Sequence, residues 1–187
     1  MIVIEDRFEE MIDVLPEMFN KKVREDLPFK VKYSFGDDKE LNSYLLSLKG
    51  DAYPLIWMVY PFLEVHTLKK VKVEDLSFIL AVKTNDIYSN KQRFATNYKN
   101  VLVPLYNNFT ELLERANIVN LNEKIRVVKY PHYSNEELPT GDEKLKSSEK
   151  NKTIDIWDAL KVTISCTITD SFFRRDIKFI KNILNNQ

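Results

Sequence analysis

Cysteine is almost missing from this chain of 187 residues, and Cys166 alone cannot make an intramolecular disulfide framework. It lies in an alternating apolar run, where burial is the expected fate of the thiol. Histidine occurs twice, as His66 and His132, neither with a second His or a Cys at ligand spacing, so no zinc motif can be read. Glycine occurs three times, which leaves no material for a phosphate-cradling loop. Charge of one sign is absent too. Lys plus Arg and Asp plus Glu balance at 28 each, against the positive surface that a general nucleic-acid binder uses to displace counterions. No uncharged apolar run approaches the roughly 20 residues of a membrane helix. The first residues turn acidic at once, at Glu5 and Asp6, without a basic leader region. A protein suited to a reducing cytosol is expected.

What is present is packing. The segment from Tyr53 to Tyr60 is apolar at nearly every position and ends at Pro61, as expected of a strand covered on both faces in the middle of a sheet. Ile4, Phe8, Met11, Leu15 and Met18 mark one helical face, with a kink or end at Pro16. Phe29 to Phe35 alternates as a half-exposed strand. Gly36 then turns the chain, Asp37 and Glu40 form a capping box, and Leu41, Tyr44, Leu45 and Leu48 form the buried face of a helix ended by Gly50. Pro61 to Asp75 reads as a solvated connection or edge ribbon, and Leu76 to Thr84 as a strand. Ser89 and Gln92 form a second capping box, opening the longest helix, with a buried face from Phe94 to Leu113 and a bend at Pro104. Ile125 to Tyr130 predicts a short strand stopped by Pro131. Leu160, Val162, Ile164, Cys166 and Ile168 alternate with Lys161, Thr163, Ser165 and Thr167 in the clearest strand of all.

These elements predict one α+β domain over residues 1–187, a mixed or antiparallel sheet of four to five strands with helices packed against it. A polar loop over 134–153 and a terminal helical segment over 171–187 complete it. Chemistry is sparse by comparison. Asp37 and Asp38, Glu136 and Glu137, and Asp155 and Asp158 are the paired acids. The first reads as a helix cap, the second as loop solvation, and the third as a capped turn, with magnesium binding as the competing reading. Arg174 and Arg175 beside Phe172 and Phe173 suit either nucleic acid or a protein partner. Trp57 reads as core, whereas Trp157, at the mouth of the polar loop, is expected at an interface.

Three of these packing patterns resemble a known kind of protein. They are Tyr53-Pro54-Leu55-Ile56-Trp57, the helix through Val101-Leu102-Val103-Pro104-Leu105-Tyr106, and Asp155-Ile156-Trp157-Asp158-Ala159-Leu160 entering the last strand. Across roughly residues 29 to 169 the chain resembles neck proteins of tailed bacteriophages, of the tail-terminator or tail-completion type, in particular those of crAss-like phages. The resemblance implies a structural virion protein of the neck or tail, assembled in the bacterial host cytoplasm. It would form a six- or twelve-fold ring with itself, contact portal, adaptor and tail proteins, and extend the channel for DNA ejection, with a passing contact with genomic DNA. It implies no membrane, no cofactor, no metal and no enzymatic activity. The interface residues expected are Glu136, Glu137, Lys144, Lys146, Lys152, Trp157, Phe172, Arg174 and Arg175. The segment from Glu136 to Lys152 is expected to form part of one contact patch and to be mobile in a free monomer. The alternatives are a metal-dependent enzyme using Asp155 and Asp158, and a small nucleic-acid-binding accessory protein.

Overall fold

Gly36 and the capping box behind it set the first turn of the fold. In the computed structural model, which describes residues 2–19, 28–47, 53–116, 119–122, 124–133 and 156–169, Gly36 adopts φ +141°. A Cβ there would run into Glu40 Oε2, the atom that accepts the Asp37 N–H at 2.9 Å. Asp37 Oδ1 in turn accepts the N–H groups of Lys39 and Glu40, both at 2.9 Å. The box is therefore closed in both directions and starts α2 (Asp38–Ser47) directly after β3 (Lys32–Gly36).

β3 runs parallel to β4 (Leu55–Val59), which lies antiparallel to β6 (Lys70–Lys83) on its other side. β4 thus holds the inner position expected for it. Its side chains divide between two cores: Ile56 and Met58 face one, Leu55 and Trp57 the other. Beyond β6 comes β9 (Trp157–Thr169), antiparallel to it. The far side of β9 is shared by β7 (Val119–Leu121) and β8 (Arg126–Tyr133). β5 (Leu63–His66) pairs with the first part of β6 as a hairpin. Among the described residues the main sheet has seven strands and is mixed, so the α+β expectation holds with more strands than the four to five anticipated.

The larger core lies between one face of this sheet and two helical elements. α1 (Ile4–Ile12) contributes Ile4, Phe8, Met11 and Ile12. The long helix runs as α3 (Asn90–Arg93), a π-helical stretch over Phe94–Leu102, and α4 (Val103–Arg115). Phe78 of β6 joins the two, its ring 4.9 Å from that of Phe8 and 5.0 Å from that of Phe109. The smaller core lies on the opposite face and only at one end, where α2 lays Leu41 and Leu45 over Leu55, Trp57, Ile79, Ala81, Trp157 and Ala159. At the other end this face carries Ser77, Thr163, Ser165 and Thr167, consistent with the polar alternation of β9.

Several boundaries depart from the sequence reading. α1 stops at Ile12, and Met18 belongs instead to β1 (Met18–Phe19), which pairs with β2 (Pro28–Phe29). Phe29 is therefore separate from β3. β6 starts at Lys70 rather than Leu76, because a bulge between Val73 and Leu76 resets the alternation. Asp75 takes up the extra residue at φ +52°, and its N–H reaches Ser165 Oγ at 3.2 Å. Val71, Val73, Leu76, Phe78 and Leu80 consequently all face the larger core. Pro131 does not stop β8, which continues past an irregularity to Tyr133, as an outer strand permits. Phe94 is 53% exposed rather than buried, since wide π turns shift the helix face. The polar loop 134–153, Gly50 and the terminal segment 171–187 lie outside the described residues.

Candidate functional site

The deepest polar cluster is assembled from three distant stretches. Ser89 caps α3 with the reciprocal bonds of a capping box to Gln92. That fixes the first helical turn so that Arg93 and Asn97, four residues apart, point into the protein. Asp158 meets them from β9. Arg93 Nη1 lies 3.2 Å from Asp158 Oδ1, and Asn97 Nδ2 donates to Asp158 Oδ2 at 2.6 Å. Both also donate to Thr84 Oγ1, at 3.0 and 2.9 Å. The remaining Arg93 donors close the 85–88 turn: Nε reaches Tyr88 O at 2.9 Å, and Nη2 reaches Asn85 O at 2.7 Å and Asp86 O at 3.3 Å.

Arg93 and Asp158 are almost entirely removed from solvent. An ion pair so placed holds only when its other donors and acceptors are met, and here the guanidinium is satisfied on every nitrogen. Both Asp158 oxygens are engaged as well. The metal reading of Asp155 and Asp158 loses this carboxylate, since a cation would have to displace Arg93; Asp155 lies outside the described residues. Beside the cluster, burial and then the charge of Asp158 push Tyr98 up to about 12, opposed by its bond to Ala159 O and by Arg93. It stays protonated and donates to Ala159 O at 3.4 Å. Cys166 is buried and free, and burial raises it to about 12, so it has neither the exposure nor the thiolate of a nucleophile.

The other notable groupings lie at the margins of the sheet. Next to β3, the rings of Tyr33, Phe35, Tyr60 and Phe62 follow one another at centroid spacings of 6.4, 5.9 and 5.3 Å. Tyr60 donates to Glu5 Oε1, and Tyr33 to Glu5 O at 3.4 Å. Both phenols are held well above their ordinary range. For Tyr33 the causes are burial and then Glu5, Glu9, Tyr60 and Asp6; for Tyr60 they are burial and then Glu5, Glu64 and Glu40. On the opposite margin, β8 and its lead-in present Lys124, Arg126 and Lys129 with no acid between Lys124 and Pro131. Arg126 engages Asp75, and Lys129 Nζ stands 5.9 Å from the centre of the Phe94 ring. His66 sits on the exposed β5–β6 hairpin, 2.6 Å from Glu64 Oε2. The side chain of His132 lies outside the described residues.

Of the interface residues expected from the sequence, Trp157 is the one described, and it is corrected. It is fully buried in the smaller core, its ring 6.3 Å from Tyr53, because β9 is covered on both faces where it begins. Glu136, Glu137, Lys144, Lys146, Lys152, Phe172, Arg174 and Arg175 lie outside the described residues. Arg93 and Asn97 were missed by the sequence reading. A signal was present: Asp158, set between Trp157 and Ala159-Leu160, is a carboxylate inside an apolar strand, which demands a buried partner. Among the described residues, no group of three or more His, Cys, Asp or Glu side chains is placed to hold a metal ion. Comparison with family models, with curated proteins and with solved structures finds no match to this chain.

Proposed function

We propose that this chain is a structural assembly protein whose copies close into a ring, serving as a neck component that joins the head of a tailed bacteriophage to its tail. The phage setting comes from the resemblance of its packing patterns to tail-terminator and tail-completion proteins. The observation that carries the assembly reading is the placement of exposed apolar side chains. Phe35 beside β4, Val127 and Val128 on β8, and Leu63, Val65 and Leu68 on the hairpin all face solvent, along the margins of a sheet whose interior is fully packed. Apolar surface gathered this way suits protein contacts. The buried polar groups, by contrast, serve one another: Asp158, Arg93 and Asn97 form a closed set with no group aimed at a reacting atom.

Mass measurement of the full chain in solution, followed by class averages of the particles, tests this reading. Closed annular particles of many subunits are expected. A protein that stays monomeric at high concentration and binds no purified portal or tail component would sink it.

A further inference from the structure

The two outer margins of the sheet differ in charge as well as in shape. On the β3 side, Tyr60 donates to Glu5 Oε1 and Tyr33 to Glu5 O, and to the burial that raises both phenols Glu5, Glu9 and Asp6 add their charge at Tyr33, and Glu5, Glu64 and Glu40 at Tyr60. Two cations nearby pair with further acids, Arg7 with Glu10 at 3.3 Å and Lys30 with Asp13 at 3.5 Å. Phe35, 39% exposed, offers an aromatic surface in the middle of this acidic margin. On the β8 side the apolar surface is Val127, Val128 and Phe94, at 40%, 48% and 53% exposure, set among Lys124, Lys129 and Arg126, the last of which pairs with Asp75.

We infer that copies of this chain join head to tail, with the acidic aromatic margin at β3 of one copy seated against the basic margin at β8 of the next. The inference rests on the assembly reading above and adds which two surfaces meet. Each margin repels its own kind, so a two-fold contact of either with itself leaves like charges facing one another. Joining the unlike margins relieves both and covers Phe35 with the valines and Phe94 of the neighbour. Such a contact uses two different patches, so every added copy still presents one of each. It propagates until the rotation closes it into a ring.

Charge exchange on the full chain tests the pairing. One variant carries Lys124→Glu with Lys129→Glu; the other carries Asp6→Lys, Glu9→Lys and Glu64→Lys, which leaves three lysines against Glu5 and Glu40. All five side chains are outside the closed polar cluster, and circular dichroism checks that both variants stay folded. By light scattering, each variant alone is expected to be monomeric, since its two margins then share one sign. An equimolar mixture is expected to recover particles larger than a monomer, because each margin again finds its opposite. The wild-type assembly should also loosen as ionic strength rises. If the wild type assembles and both variants assemble as it does at every salt concentration, the pairing of margins is wrong while the assembly reading stands. Monomeric variants whose mixture stays monomeric overturn the pairing as well. A monomeric wild type removes the assembly reading itself.

Discussion

Asp158 and Arg93 bind β9 to the start of the long helix, and each makes the other tolerable in the interior. Removing only one partner leaves a buried charge uncompensated, which costs about 3–5 kcal/mol. Asp158→Ala should therefore lower unfolding free energy by that order in denaturant titration, whereas Arg93→Met combined with Asp158→Leu should recover much of the loss. Equal destabilisation by the single and double variants would show that the pair is not what matters. Trp157 offers a second test at this scale. As a core residue its replacement by Ala should cost about 3–5 kcal/mol; a surface aromatic at an assembly contact would leave monomer stability nearly unchanged. Gly36→Ala should be destabilising by about 1–3 kcal/mol, because a left-handed backbone and the Glu40 carboxylate both oppose a Cβ. A calorimetric melting temperature equal to wild type would contradict that.

At the scale of elements, what was legible followed from local chemistry. Both capping boxes could be read from four-residue patterns, since a Ser or Asp side chain and a Glu or Gln three residues on interact whatever the rest of the chain does. The inner position of β4 was legible because its apolar residues leave neither face for water. Two of the errors share one cause, an interruption that breaks periodicity. The bulge at Asp75 divides one strand of 14 residues into a legible second half and a first half that reads as a charged ribbon. The π turns do the same to the long helix, turning Phe94 outward and Arg93 inward. They end at α4, where Val103 N–H still donates five residues back to Tyr98 O and Pro104 has no N–H to offer Asn100. Ser89→Ala should cost about 1 kcal/mol through the lost cap. Faster amide exchange should appear first at Gln92 and Arg93 in hydrogen-exchange measurements; exchange unchanged there would mean that the cap is dispensable.

For the whole molecule, the buried protonated groups make folding sensitive to alkali. Cys166 rises from its ordinary 9.0 to about 12, and Tyr98 from 10.0 to about 12. Tyr33 and Tyr60 are raised as well. Above about pH 9 the unfolded chain gives up these protons while the folded chain keeps them, so the folded state binds more protons and stability falls as pH rises. Their contribution is complete below the unfolded values and is lost through the folded ones. A melting temperature flat from pH 7 to 8.5 and falling progressively from pH 9 to 11 is expected. Cys166→Ala should blunt the earliest part of the fall, and an unchanged profile would remove the thiol from the account.

Amphipathic spacing, capping boxes and the doubly apolar strand were determined by the sequence alone, since each is settled by residues within a few positions of one another. Which acid meets which base was decided only by the tertiary structure. Asp158 finds Arg93 across 65 residues of chain, and Trp157 becomes core only because α2 covers that end of the sheet and not the other. The acidic and basic margins likewise exist only once the sheet is built. Strand order, which no local pattern encodes, brings Glu5, Glu40 and Glu64 near one margin and sets Arg126 and Lys129 on the other.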